Sequence, residues 1–202
     1  MRDISTSPSK EPNYGTKSAI HRVKIPAERV GVLIGQKGLV KRRIESACKI
    51  SLEVNSETGE VEFSAPLELS DPTLVFKIQN IITAIGRGFS PWKALKLLDD
   101  DVMFEVIDLR DSVGKSRRNL QRVKGRLIGR DGKTRKIMEE TTDVDVSIYG
   151  RTVAFIGRAS ELEVARDAID KLVGGSQHKT VYRFLGRKRH EIKKERLKLW
   201  ES

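Results

Sequence analysis

The chain is short of the residues on which several kinds of chemistry depend. It has one cysteine, Cys48, in 202 residues, which excludes an internal disulfide and a cysteine-cluster metal site. On the amphipathic segment 39–48 that thiol is expected to pack as a small hydrophobe. The three histidines, His21, His178 and His190, share no metal-ligand spacing. They are read as surface or structural residues, and neither a metal nor a cofactor is expected. Aromatics make up 5%, too few for a surface that works by stacking bases, so Trp92 and Trp200 are expected to be packing anchors. No apolar run reaches the ~18 residues of a membrane span. The most apolar stretch, Leu74 to Ile85, is broken by Lys77, Gln79 and Asn80. Met1 to Pro12 lacks the apolar core of a secretion signal, so a cytoplasmic protein is expected.

Positive charge is in excess. Apolar residues are 38% and charged residues 33%, with a net charge of +11. That composition is globular, and the length allows two domains of roughly 70–100 residues. The charge is unevenly placed. Lys115 to Lys136 holds ten Lys/Arg against Asp131 alone, and residues 20–50 hold eight against Glu28 and Glu45. Between these regions, Asp99, Asp100, Asp101, Glu105, Asp108 and Asp111 are opposed only by Arg110. Two basic regions point to a polyanionic partner.

Each basic region surrounds one copy of a repeat. Gly31-Val-Leu-Ile-Gly-Gln-Lys-Gly38 returns as Gly125-Arg-Leu-Ile-Gly-Arg-Asp-Gly132, 94 residues on. The register then holds: Lys41 and Arg42 fall on Arg135 and Lys136, Ile44 on Met138, Ile50 on Val144, Leu52 on Val146. One structural unit has been built twice. Within each copy, a Gly-x-x-Gly opens a helix, where free N–H groups and the partial positive charge of the helix start suit an anion.

Periodicity and punctuation give the elements of the first unit. Ala19 to Ile25 is predicted as a strand closed by Pro26, and Ala27 to Ile34 and Leu39 to Cys48 as helices flanking the glycines. Lys49 to Val54 and Glu60 to Ser64 form a strand pair across Asn55–Gly59. Asp71-Pro72 opens a helix burying Leu74, Val75, Ile78, Ile81, Ile82 and Ile85. A short linker helix from Ser90-Pro91 to Leu98 follows, with Trp92, Leu95 and Leu98 on its apolar side. The second unit repeats the order: strand Val102 to Leu109, turn Asp111–Ser116, a helix through Ile128, helix Lys133 to Glu140, and a strand marked by Val144, Val146 and Ile148. A hairpin at Tyr149–Thr152 leads to strand Val153–Ile156, and a Ser160–Glu163 capping box opens the last helix, which Gly174-Gly175 stops. Residues 1–18 form a polar tail predicted to be disordered. Residues 176–202 are a basic helical tail in which Leu185, Ile192 and Leu199 recur every seven.

Leu-Ile-Gly-x-x-Gly between two helices, followed by strand, strand, helix, resembles the type I KH RNA-binding domain of βααββα order. The resemblance implies an α+β fold of two such domains, at 19–87 and 102–175, each a three-stranded antiparallel sheet packed by three helices. A linker helix at 88–101 and the C-terminal helix complete the chain. It also implies that the loops clamp the backbone of single-stranded RNA while bases lie on an aliphatic groove. By position, the clamps are Gly35, Gln36, Lys37, Gly38 and Gly129, Arg130, Asp131, Gly132. Groove walls are Val32, Ile34, Ile50 and Leu52, and in the second unit Leu127, Ile128, Val144 and Val146. Lys41, Arg42, Lys133, Arg135 and Lys136 neutralise phosphates. Where such domains often carry an aliphatic residue third after the last glycine, this chain has Lys41 and Arg135, which shifts weight to phosphate contacts. Asp131 either caps the helix that follows it or accepts from a base amino group.

The linker Gly-Phe-Ser-Pro-x-x-Ala-Leu-x-Leu-Leu (Gly88 to Leu98) and the run Gly-Arg-Leu-Ile-Gly-Arg-Asp-Gly-Lys-Thr-Arg-Lys narrow the resemblance. They are similar to the ribosome-assembly KH proteins called partner of Nob-one, or Dim-two-like, of archaeal type. That family implies binding to the 3′ region of small-subunit ribosomal RNA beside the endonuclease that trims it. A contact with the alpha subunit of initiation factor two is a further implication. No catalytic residue is expected. Gly132-Lys133-Thr134 is not a P-loop, since Leu127 stands where that motif needs glycine. The rival reading is a KH-fold protein-docking scaffold or translation-related factor without strong RNA binding, and a third, an RNA-processing nuclease, predicts cleavage with a divalent metal.

Overall fold

The computed structural model describes residues 18–66 and 72–200. The tail expected before residue 18 and the Asp71 cap lie outside the described residues. The first unit runs β1 (Ser18–Lys24), α1 (Ala27–Ile34), α2 (Leu39–Cys48), β2 (Ser51–Val54), β3 (Glu60–Pro66) and α3 (Pro72–Gly86). A one-turn α4 (Pro91–Ala94) continues as a 3-10 turn, Leu95–Leu98. The second unit runs β4 (Met103–Asp108), α5 (Leu109–Val113), α6 (Arg117–Ile128), α7 (Lys133–Thr142), β5 (Asp145–Tyr149), β6 (Thr152–Gly157) and α8 (Ala159–Val173). The last helix is α9 (His178–Trp200).

Each unit is a three-stranded antiparallel sheet, ordered β1-β3-β2 and β4-β6-β5, backed by helices. Both follow the βααββα order, to which the second adds α5. Their cores are built alike. Leu33, Ile44, Leu52, Val61 and Phe63 close one, and Leu127, Met138, Val146, Val153 and Phe155 the other. Full burial of such side chains contributes ~1.5–3 kcal/mol each. Cys48 is buried in the first core, and burial pushes its thiol up to about 11.

The units meet along β5 and β6. Cross-strand partners fix the correspondence: Val54 pairs with Val61 and Ile148 with Val153. Glu62 and Ser64 therefore stand where the second unit has Ala154 and Ile156. β3 alternates, with Val61 and Phe63 inside and Glu60 exposed, whereas β6 is buried at every residue. Its second face is covered because Ala154 and Ile156 join the first unit's core with Phe89, Ala94 and Leu97 of the connecting segment. A continuous apolar strand is what burial on both faces requires. Polar contacts finish the seam. Ser147 Oγ donates to the Arg87 carbonyl at 2.8 Å, Tyr149 OH donates to Glu28, and the Arg29 guanidinium lies over the Tyr149 ring at 5.9 Å. Burial first, then the Glu28 carboxylate, raises the Tyr149 pKa.

Several local expectations are corrected. Trp92 is 64% exposed, with the Arg43 guanidinium 4.3 Å from its ring centre. Leu95 and Leu98 do pack against the core as expected, half-buried, while the linker's fully buried residues are Phe89, Ala94 and Leu97, because one α turn passing into a 3-10 turn breaks the assumed period. The Ser160–Glu163 capping box does not form. α8 starts one residue earlier behind Arg158, without a side-chain cap, and Ser160 Oγ donates to Glu161 at 2.9 Å. Within the expected Asp111–Ser116 turn, Asp111 to Val113 belong to α5. Asp108 ends β4 and caps that helix by accepting from Arg110 N at 3.0 Å. The acidic linker end is tied to the body by an ion pair between Lys77 and Asp100.

Candidate nucleic-acid interface

The two Gly-x-x-Gly loops have nearly the same backbone. Gly35 has φ/ψ of 71°/175°, Lys37 49°/29° and Gly38 76°/15°. Gly129, Asp131 and Gly132 have 73°/174°, 52°/30° and 76°/9°. Three of every four residues are thus at positive φ. The first glycine is required twice over, since a Cβ on Gly35 would lie 2.4 Å from Val40 Cγ2, and one on Gly129 would lie 2.2 Å from Thr134 Oγ1. The third position tolerates the left-handed region best as Asn or Asp, which accounts for an acid at Asp131. That carboxylate caps nothing: neither the 3-10 turn nor α7 has a side-chain cap, and neither do their counterparts in the first unit. The cap expected of Asp131 is overturned because Gly132, not Asp131, holds the N-cap position. Gln36, Lys37, Arg130 and Asp131 are exposed. Gly38 and Gly132 donate to the carbonyls of Gly35 and Gly129 (3.2 and 3.3 Å), so each loop offers a phosphate the amides of its two exposed middle residues beside a helix start that no side chain caps.

Around the loops, Arg42, Lys133, Arg135 and Lys136 are exposed and Lys41 is half-buried. Ile34 and Ile128 are half-buried at the last turn of α1 and α6. Ile50 is 8% exposed and Val144 1%, so their side chains face the core and present little groove surface. Leu52, Leu127 and Val146 are likewise core residues.

Between the helix after each loop and the edge strand, where an aliphatic groove is expected, each unit sets a carboxylate. Glu45 accepts the edge-strand amide of Leu52 at 2.9 Å, and Glu139, at the same place in the repeat, accepts that of Val146 at 3.1 Å. Lys41 lies 3.8 Å from Glu45, and Arg135 3.7 Å from Glu139. In the second unit the linker adds two cations. Lys93 Nζ is 3.0 Å from Glu139 and 2.9 Å from Asp145, and Lys96 is 2.6 Å from Asp145. Burial works against the charge on Lys93, but hydrogen bonds to Asp145 and Glu139 outweigh it and raise its pKa. Linker cations thus offset Glu139 and Asp145.

Behind each loop, an arginine ties the first helix to the end of the last. Arg29 donates to the carbonyls of Ile85 (2.8 Å) and Phe89 (2.7 Å). Arg126 does the same to Leu172 (3.1 Å) and Ser176 (2.6 Å). These arginines do not align in the repeat, so sequence comparison of the copies misses them; Glu45 and Glu139 do align and were available. The second loop has further support. Thr134 Oγ1 shares a hydrogen bond of 2.9 Å with Tyr182 OH of α9, and His178 Nε2 lies 2.9 Å from the Arg126 carbonyl.

Comparison with known proteins agrees with this geometry. Residues 103–190 match a family model described as eukaryotic type KH-domain (KH-domain type I), and residues 20–70 match a KH domain model. The chain is 42% identical over 190 residues to KH domain-containing protein MJ0443 of Methanocaldococcus jannaschii, covering 94% of this chain and 83% of that one. It is 26% identical over 179 residues to the pre-rRNA-processing protein PNO1 of Saccharomyces cerevisiae, 88% of this chain and 65% of that one. Among solved structures, a chain in the a/eIF2alpha–aDim2p–rRNA complex from Pyrococcus horikoshii superposes with a TM-score of 0.79. The two are 44% identical over 89% of this chain and 97% of that chain.

Proposed function

The chain belongs to the Dim2-like family of KH proteins, in its archaeal form, and from that premise we propose that it is a ribosome-assembly factor that binds single-stranded RNA through both loops. The RNA we assign is the 3′ region of small-subunit ribosomal RNA. One observation carries this reading: two uncapped, exposed Gly-x-x-Gly loops share one backbone geometry and sit among cations. Each loop takes the sugar–phosphate backbone of about four nucleotides. Gln36, Lys37, Arg130 and Asp131 supply amide donors, the glycine amides being bonded to the carbonyls of Gly31, Gly35, Gly125 and Gly129, while Arg42, Arg130, Lys133, Arg135 and Lys136 supply charge. Phosphate contacts position the strand, and base edges meet the groove at Glu45 and Glu139.

The chain acts by holding RNA for other proteins. Two protein partners follow from the family: the endonuclease that trims the RNA, and the alpha subunit of initiation factor two, since a/eIF2alpha accompanies aDim2p in the Pyrococcus complex.

Fluorescence anisotropy tests the reading. The purified chain is titrated with a single-stranded 3′ small-subunit segment, the same segment annealed to its complement, and a scrambled strand. Tight, salt-sensitive binding of the single strand and much weaker binding of the duplex are expected, with no cleavage in magnesium. Equal binding of single strand and duplex, or binding of neither, would overturn it in favour of a docking scaffold.

A further inference from the structure

We infer that α9 carries a second RNA-contacting surface, an exposed row formed by Lys179, Arg183, Arg187, His190 and Lys194 that takes the phosphate backbone leaving the second loop. The inference rests on the RNA-binding reading above and extends it beyond the KH fold. Spacings of four, four, three and four residues put these five side chains on one helical stripe. All five are exposed. The opposite face docks on the body: Val181 is fully buried, Leu185 is 1% exposed, and Phe184 and Ile192 pack against the second core. A cation–π contact at 4.8 Å between Lys171 and Phe184 fastens the helix to α8.

Glu191, the nearest acid on the helix among the described residues, is neutralised mainly by Lys188 and lies next to Arg187 at the edge of the row. Glu191 pairs with Lys188 at 2.7 Å, and Lys188 also faces Asp167 and Glu163 of α8. Among the described residues, none of the five in the row forms an ion pair. The row starts beside the loop, because Tyr182 touches Thr134 and His178 touches the Arg126 carbonyl. From Lys179 to Lys194 it extends ~22 Å, with about one turn between successive members.

The chemistry favours a phosphate backbone over other anionic surfaces. A helix lying on a membrane must give its apolar face to lipid, and here that face is buried in the protein. A protein partner would be held by aromatic or aliphatic anchors, and the row offers none. Four lysines and arginines on one exposed stripe, with His190 among them, run on from a phosphate-binding loop and fit an extended polyanion.

The test compares the full chain with K179Q/R183Q/R187Q, substitutions that leave the docked face and the loop contacts in place. Affinity is measured for a short single-stranded RNA of about five nucleotides, enough for one loop, and for one of roughly fifteen, long enough to follow the helix. The variant is expected to bind the long RNA about tenfold more weakly, with a salt dependence shallower by about two in log–log slope. The short RNA is expected to bind unchanged. Unchanged affinity and slope for the long RNA would overturn the inference and leave the loop reading standing. An equal loss on both RNAs would also overturn it, by placing the effect at the loop. If the unaltered chain binds neither RNA, the loop reading fails and this extension fails with it.

Discussion

β3 and β6 occupy the same place in two copies of one unit, yet one keeps an open outer face and the other has none. Glu62 faces outward and pairs with Arg22 at 2.6 Å, while Ala154, in the equivalent position, is fully buried in the seam between units. A duplicated fold has thus been made asymmetric by replacing outward polar residues with Ala154 and Ile156. The asymmetry extends to the loops. The first is backed by Val40 and Arg29, whereas the second is backed by Thr134 and Arg126 and, in addition, by Tyr182 and His178 of the C-terminal helix. Repeating a fold gives two similar clamps; the contacts each copy makes afterwards decide what each is used for.

The largest expected effect breaks that seam. Ala154→Glu places a charge where both faces of β6 are covered and should cost several kcal/mol in chemical denaturation. Glu62→Ala, at the matching position, should change stability by no more than about 0.5 kcal/mol. Similar costs for the two would mean that the units do not pack as described. Lys93→Ala comes next, expected to cost about 1 kcal/mol by removing the cation that Glu139 and Asp145 share, Arg135 and Lys96 remaining beside them. Lys41→Ala, whose partner Glu45 keeps only a 3.8 Å contact to lose, should cost less than about 0.5 kcal/mol. A larger effect at Lys41 would reverse the order of the two carboxylate sites.

Tyr182→Phe should cost roughly 1 kcal/mol and weaken RNA binding at the second loop only, so binding that survives disabling that loop should be unaffected. The smallest effect concerns acid. Arg110 first, with Arg151, holds Asp108 well below the usual carboxylate range despite partial burial. A lowered folded pKa gives stability that is full above about pH 3.9 and is lost as pH falls through the folded value. Protection of the α5 amides, relative to their intrinsic exchange rates, should therefore fall below about pH 4, ahead of the first unit. Simultaneous loss in both units would contradict this.

Much of this architecture was legible because the repeat carries its own control. Leu33 against Leu127 and Ile44 against Met138 lie in matched cores, and the glycines fall at matched backbone angles. The continuous run Val153–Ile156 already differed from the alternation of Val61 and Phe63. What stayed hidden depends on the chain returning to itself from a distance. Nothing near Tyr182 announces Thr134, and Arg29 and Arg126 perform one task from positions that do not align. Trp92 was assigned inward from a period that a single turn is too short to keep. Asp131 was offered a cap because it precedes a helix, although the glycine after it holds that place.

On the proposed reading both loops grip one unpaired strand, and the second grips harder because Lys115 to Lys136 carries ten Lys/Arg against one acid. Affinity for a single-stranded 3′ small-subunit segment, measured with R130D and with K37D against the unaltered chain, tests it most directly. Losses of roughly a hundredfold for R130D and tenfold for K37D, each with a shallower salt dependence, are predicted. Unchanged binding in both variants would contradict the claim of a grip at the loops, and a greater loss for K37D would reverse the ranking of the two units.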